Sequence, residues 1–326
     1  MERLKNHTES NEVRMGNVSS PLDGLLTSSD VKENPNWSYR SIDPSKVYGF
    51  GDEIMSLEGM LVRDGSNDKF KAVGIVGMIG TGKTTLCQVL LTRLEVRNHF
   101  VLRIWVSLSV KPNRGLDQKI ETVRRMLQSL GVKEGIVSSV SEKHGLSGLL
   151  YALYVRLRGK RYLIVFDDVC DGDEWYGQLN SSLPHNGKWK ERLAYAVPKG
   201  CGGTVIVTSR NKEFAKKMVG EENVHYHPPL SDSESCWSIF MDSIQQDETP
   251  FNFMNMDGLK NEIMQACGGV PLAAKVMGQI VNENIVKLER NKKLGRKSRE
   301  NREREKLDFC ISFISAISIQ LMSWYL

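Results

Sequence analysis

The sequence predicts an α/β fold in which a parallel, doubly wound sheet is followed by a small helical subdomain. Apolar runs without polar alternation, typical of parallel strands covered on both faces, predict the sheet. Helix-like segments separate these runs, which is the pattern of doubly wound folds. After about residue 230 only helix-like segments follow, which predicts the subdomain. The 326 residues are enough for about two domains.

The expected strands are short runs rich in β-branched residues, and the expected helices carry apolar residues at helical spacing. In the helix expected at 116–130, Ile120, Val123 and Leu127 share one face, and Gly131 closes it. The predicted strands are 71–76, 103–108, 162–166 and 204–208, and the predicted helices are 84–96, 116–130, 149–157, 231–244, 256–267 and 271–286.

The composition excludes several classes of protein. Apolar residues make up 40% and charged residues 25%, which excludes a wholly disordered, collagen-like or polytopic membrane chain. Residues 287–306 carry ten Lys/Arg and four Glu, a net of +6 against +5 for the whole chain, so no basic patch remains to favour nucleic-acid binding. Six cysteines without a C-x-x-C pair, and an N-terminus without an apolar signal region, favour a reducing, cytoplasmic location.

The segment GMIGTGKT at 77–84 matches G-x-x-x-x-G-K-[ST] and lies between a predicted strand and a predicted helix. Its glycines let backbone N–H groups surround a phosphate, and the following helix adds its positive end. We expect the Lys83 ammonium on the β- and γ-phosphates and the Thr84 hydroxyl on Mg²⁺. The alternative is a chance glycine-rich turn. The motif predicts a P-loop NTPase with a nucleoside triphosphate site.

Two carboxylates, Asp167 and Asp168, follow the apolar run YLIVF at 162–166. The carboxyl ends of parallel strands meet beside the phosphate loop, where open α/β sheets bind ligands. Asp167 is the candidate Mg²⁺ ligand, because this ion prefers oxygen donors. Asp168 is the candidate catalytic base that orients or deprotonates water. The alternative for both aspartates is a solvated acidic turn.

Arg210 follows the run TVIVT at 204–208 after one further residue, Ser209. At that edge of the sheet it could contact the γ-phosphate and so distinguish ATP from ADP, which gives the differential interaction that a switch needs. The alternative at this position is a salt bridge to an aspartate or glutamate.

The order of these motifs resembles the NB-ARC domain of plant disease-resistance proteins. The resemblance covers roughly 47–285. The segments that carry it are GMIGTGKTT (77–85), FVLRIWVSLS (100–109), YLIVFDDV (162–169), GGTVIVTSRN (202–211) and CGGVPLAAKVMG (267–278), with a weaker match in LSDSESCWSIF (230–240).

The resemblance implies an ATP/ADP switch that rests with ADP and signals in pathogen defence, with slow ATP hydrolysis at most. It makes Arg210 the γ-phosphate sensor, places Pro271 on the base and sugar, and makes VYGF at 47–50 the adenine-side wall. The expected nucleotide-binding residues are Val47, Phe50, Gly77, Gly80, Thr81, Gly82, Lys83, Thr84, Thr85, Asp167, Arg210 and Pro271, with Thr84 and Asp167 also holding Mg²⁺.

The expected domain organisation has four parts: a disordered leader or linker (1–46), a P-loop nucleotide-binding domain (47–230), a helical subdomain (231–286), and a basic connector with an apolar end (287–326). The winged-helix subdomain and leucine-rich repeats that usually follow in the family are not found in the sequence. We therefore expect a truncated member that retains nucleotide weakly. The expected partners are other defence-signalling proteins or further copies of the chain, and no nucleic acid.

Two other functions stay open. A metabolic P-loop kinase or transferase would need an arginine-rich lid, and an interaction module insensitive to nucleotide would need a degenerate site.

The 18 uncharged residues 309–326 suit a membrane anchor, a packed or peripheral helix, or an aberrant terminus. The first of these would give membrane contact.

Overall fold

The computed structural model describes residues 42–62, 69–108, 117–170, 173–181, 192–244 and 257–293. The leader up to residue 41 and the segment 294–326 lie outside the described residues, so the predictions made for them stay predictions. Among the described residues, no helix has the length and apolar character needed to cross a membrane.

Within the described part of the chain, five parallel strands form one sheet in the order β2-β3-β4-β1-β5. The α/β fold with a parallel sheet is therefore confirmed. β5 was not predicted from the sequence, because its three residues are partly exposed and form no apolar run. The strands are β1 (Lys71–Val76), β2 (Leu102–Ser107), β3 (Tyr162–Val169), β4 (Thr204–Ser209) and β5 (Val224–Tyr226).

Helices connect the strands and extend beyond the sheet. The helix predicted at 84–96 is two helices, because Arg93 has an extended backbone (φ −62°, ψ 135°) that separates them. The helices described are α1 (Gly51–Val62), α2 (Lys83–Thr92), α3 (Leu94–His99), α4 (Gln118–Ser129), α5 (Glu134–Leu157), α6 (Leu193–Ala196), α7 (Lys212–Val219), α8 (Ser233–Ile244), α9 (Asp257–Cys267) and α10 (Pro271–Lys293).

Both faces of the sheet are buried, which explains why its strands lack polar alternation. In β3, Ile164 and Phe166 pack into an apolar core with α4 and α5. Their neighbours Leu163 and Val165 point to the opposite face and pack with α1, α2 and α3. Alternate residues of β1 to β4 thus fill two cores, and the sheet is doubly wound.

A third apolar core lies between α8, α9 and α10 and includes Phe240, Ile263 and Met277. It is joined to the sheet part through Leu230, whose N–H donates to the Gly269 carbonyl at 2.8 Å. This core accounts for the helical character of the sequence after about residue 230. The domain bounds 47–230 and 231–286 stay a prediction.

Candidate functional site

The loop between β1 and α2 follows the path that its glycines allow. Gly80 and Gly82 have φ of 78° and 102°, in the left-handed region that L side chains rarely adopt. A Cβ at Gly82 would lie 2.5 Å from Cζ of Phe50, and a Cβ at Gly77 would overlap the His227 carbonyl. The loop therefore needs glycine both for its curvature and for its close packing, and it directs the N-terminus of α2 into the site.

Lys83, the first residue of α2, points back along this loop. Its ammonium donates to the carbonyls of Gly77 at 2.7 Å and Met78 at 2.6 Å. Burial lowers the pKa of Lys83, and the positive charge of Arg210 lowers it further. A polyphosphate at the loop would favour the charged ammonium, because an opposite charge stabilises it.

Asp167 is a buried carboxylate that two hydroxyls hold in place. Thr84 Oγ1 donates to Asp167, lying 2.9 Å from Oδ1 and 3.2 Å from Oδ2, and Thr208 Oγ1 donates to Oδ1 at 2.6 Å. Burial raises the pKa of Asp167, and these two hydrogen bonds offset part of the rise. The structure thus brings together Thr84 and Asp167, the two residues expected to hold Mg²⁺, and supplies the oxygen donors that this ion prefers.

Asp168 and Arg210 form an ion pair at the edge of the site. Arg210 Nε donates to Asp168 Oδ1 and an Arg210 terminal nitrogen to Oδ2, both at 3.2 Å. The salt bridge considered from the sequence as the alternative for Arg210 is therefore present. The Asp168 N–H donates to Thr208 Oγ1 at 2.9 Å, so a single hydroxyl links both aspartates.

These groups open onto a cavity of about 580 Å³ that is large enough for a nucleotide. Two other residues predicted to bind nucleotide, Gly77 and Thr81, do not line the cavity. They contact His227, the residue that follows β5. The sequence-predicted residues that line the cavity are Val47, Phe50, Gly80, Gly82, Lys83, Thr84, Thr85, Asp167, Asp168, Arg210 and Pro271.

Sequence reasoning missed part of the cavity wall. Thr208 could have been found, since it is a buried polar residue within an apolar strand. Ile79 lies within the phosphate loop, and the others lie before α1 or on the α8–α10 unit and reach the cavity through tertiary contacts without a local signal. Tyr48 belongs to the wall expected at 47–50, and the lining residues that were not assigned from the sequence are Ile42, Asp43, Lys46, Ile79, Thr208, Ile239, Leu272 and Lys275.

His227 is a second functional candidate that the motifs do not indicate. Its side chain is 2% exposed, and Nε2 lies within hydrogen-bond distance, 3.0 Å, of the Thr81 carbonyl oxygen. Nδ1 lies 2.8 Å from a Glu53 carboxylate oxygen, and the ring packs against Phe50 with centroids 5.3 Å apart. His227 therefore contacts both the phosphate loop and the first turn of α1.

The fold and site together define a P-loop NTPase. The residues fit a nucleotide with Mg²⁺: glycine positions that a Cβ would block, a lysine at the start of the helix, and a hydroxyl beside a carboxylate. The NB-ARC domain family model matches residues 51–249, and the chain belongs to this family.

Relatives support this assignment. Two probable disease resistance proteins of Arabidopsis thaliana are 38% identical over 259 residues and 35% identical over 262 residues, each alignment covering 72% of this chain and 74% of the relative. The disease resistance RPP13-like protein 4 of the same plant is 30% identical over 266 residues, covering 80% of this chain and 28% of that protein. The resemblance inferred from the motifs is confirmed.

Solved structures show the same fold at low identity. The ADP form of the Aeropyrum pernix ORC2 protein has a TM-score of 0.53 and 15% identity, covering 84% of this chain and 71% of that one. Cdc6p from Pyrobaculum aerophilum has a TM-score of 0.50 and 14% identity, covering 80% and 66%. These similarities support the P-loop fold.

Proposed function

We propose that the protein is a nucleotide-dependent switch in plant defence signalling that binds ADP and ATP with Mg²⁺ and hydrolyses ATP slowly at most. One observation carries the proposal: Lys83, Asp167 and Arg210, from three separate elements, line one cavity beside the phosphate loop. Membership of the NB-ARC family and relatives named as disease resistance proteins support the signalling role.

Each part of the cavity has a task in this proposal. The backbone N–H groups of the loop and the Lys83 ammonium bind the phosphates, and Thr84 with Asp167 holds Mg²⁺. When bound, the metal ion would offset phosphate charge. Arg210 contacts the γ-phosphate, which only ATP has.

The base and sugar of the nucleotide occupy the other end of the cavity. Val47 and Phe50 line the cavity from the segment before α1, and Pro271 lines it from the first turn of α10. The Leu272 N–H donates to the Gly80 carbonyl at 3.2 Å, so the start of α10 is held against the phosphate loop. Nucleotide contacts therefore extend to the helical unit, which lets that unit respond to what is bound.

Slow hydrolysis is proposed from membership of the NB-ARC family. Asp168 is the candidate that would orient or deprotonate water, and without ATP each of its carboxylate oxygens accepts an N–H from Arg210. We further propose a cytoplasmic location, with other defence-signalling proteins or further copies of the chain as partners and without nucleic acid.

Calorimetric titration with ATP and ADP, with and without Mg²⁺, tests the proposal. The parent protein should bind both nucleotides, and Lys83→Ala should weaken binding about tenfold or more, because a charge-assisted hydrogen bond is worth about 1.5–3 kcal/mol. Lys212→Ala, on the exposed surface of α7, is the matched control and should bind like the parent. Equal binding by the parent and Lys83→Ala contradicts the assigned site.

A further inference from the structure

The Asp168–Arg210 ion pair has the geometry of a strong contact, but its exposure to water keeps the interaction weak. Both N–H donors of the guanidinium fork meet the carboxylate, one on each oxygen at 3.2 Å. The Arg210 side chain is 55% exposed and that of Asp168 25% exposed, so water screens the pair. Exposed pairs contribute little, so a competing anion can take the place of the Asp168 carboxylate on Arg210.

The backbone aims the two aspartates in different directions. Asp168 has φ of 55°, a left-handed conformation, and the pairing of β3 with β4 shifts register between Phe166 and Val169. The Asp168 N–H bonds to Thr208 Oγ1, which fixes this turn. Asp167 therefore faces Thr84, whereas Asp168 faces Arg210 across the mouth of the cavity.

We propose that Asp168 is a positioning residue that holds Arg210 in competition with the γ-phosphate, and so sets the preference of the site between ADP and ATP. The inference rests on the proposed nucleotide switch and deepens it. ADP lacks the γ-phosphate, so Arg210 keeps its contact with Asp168 when ADP binds. ATP offers phosphate oxygens to the same guanidinium, so the ion pair must break for the new contact to form.

Because the ion pair must break when ATP binds, it lowers the affinity for ATP. The affinity for ADP is unchanged, since the pair stays intact when ADP binds. An exposed pair is worth up to about fivefold in affinity, which is about 1 kcal/mol at 1.4 kcal/mol per factor of ten. A charge-assisted contact with phosphate exceeds that, so ATP still takes Arg210. Asp168 thus reduces the preference for ATP without preventing the exchange.

Asp168→Asn tests this role with little risk to the fold. Asparagine has the same shape and is among the residues that best tolerate a left-handed backbone. The ATP and ADP affinities are measured calorimetrically with Mg²⁺ at low ionic strength, where screening is weakest. The ratio of ATP to ADP affinity should rise by about two- to fivefold relative to the parent protein.

Two controls separate the ion pair from general electrostatics. In Arg210→Gln the ratio should fall about tenfold, and adding Asp168→Asn to this variant should change it by less than about 1.5-fold, because the proposed effect acts through Arg210. Glu174→Gln removes a carboxylate six positions further along the chain that is 89% exposed and paired with Arg192. This variant should keep the parent ratio.

The outcomes are distinct. A parent that binds neither nucleotide overturns the proposed function itself. If the parent binds both but Asp168→Asn keeps its ratio, the positioning role is wrong and the function stands. A ratio that rises equally with and without Arg210 also overturns the role, since the charge would then act directly on the phosphates. Unchanged affinities with slower single-turnover hydrolysis would instead make Asp168 the general base.

Discussion

Replacing Thr208 by valine should disturb the site more than the loss of one hydroxyl suggests. Thr208 Oγ1 donates to Asp167 and accepts the N–H of Asp168, and the side chain is 1% exposed. Valine has nearly the same shape but makes neither hydrogen bond. Thr208→Val therefore removes a partner from a buried carboxylate and leaves a backbone donor without its acceptor.

The expected loss of stability is about 3 kcal/mol. A hydrogen bond to a charged group contributes about 1.5–3 kcal/mol, and leaving a buried donor unsatisfied costs about 1–3 kcal/mol. The Asp168 side of the contact is only partly buried, so we take the lower part of the second range. The hydrogen bond from Thr208 also lowers the pKa of Asp167, so its loss should raise that pKa further and weaken Mg²⁺ binding.

Urea unfolding of Thr208→Val measures its free energy of unfolding, and titration of the ADP complex with Mg²⁺ measures the affinity for the metal ion. Thr208→Ser keeps the hydroxyl and should stay within about 1.5 kcal/mol of the parent, because it loses one methyl group. A Thr208→Val protein that loses less than about 1 kcal/mol and binds Mg²⁺ like the parent would refute the idea that this hydroxyl organises the aspartates.

Three further predictions concern the hydrogen bond between Tyr48 and α8, the packing of α10 against α8, and the metal site. Tyr48→Phe removes the 2.7 Å hydrogen bond to Asp242 on α8 and should cost about 1 kcal/mol in urea unfolding; no change would mean that water replaces it. Gly278→Ala places a Cβ 2.5 Å from the Phe240 carbonyl oxygen and should cost about 1–3 kcal/mol, with a lowered melting temperature; a more stable variant would contradict this. Burial raises the pKa of Asp167 above its ordinary 3.8, so the Mg²⁺-dependent gain in ADP affinity should fall as pH drops through this raised value, where the carboxylate takes up a proton. Asp167→Asn should lack that step in calorimetry at a series of pH values, and a step that persists would assign it to the phosphates.

The sequence predicted the elements that local patterns determine. β1 has the bounds 71–76 expected from its apolar run, and β4 extends the expected strand 204–208 by one residue. The phosphate loop was placed correctly between strand and helix, because its glycines and lysine are contiguous. The helix expected at 149–157 belongs to a longer one, since α5 starts at Glu134 and passes a kink at Gly145.

The remaining parts of the site depend on contacts between distant residues. His227 and Thr81 are 146 positions apart and meet because β5 pairs with β1. Lys46 reaches the cavity as part of the segment before α1, where no periodic pattern was available to place it. Such residues are found only when the folded chain is known, because no local propensity encodes their meeting.

In the proposed switch, the hydrogen bond between Leu272 and Gly80 connects the nucleotide cavity to the helical unit. Because α10 begins directly on the phosphate loop, a displacement of a few ångströms would break this bond and remove Pro271 from the cavity wall. We therefore expect release of nucleotide and reorientation of α8–α10 to occur as one event. A protein that binds the outer surface of these helices would then control nucleotide exchange without touching the nucleotide.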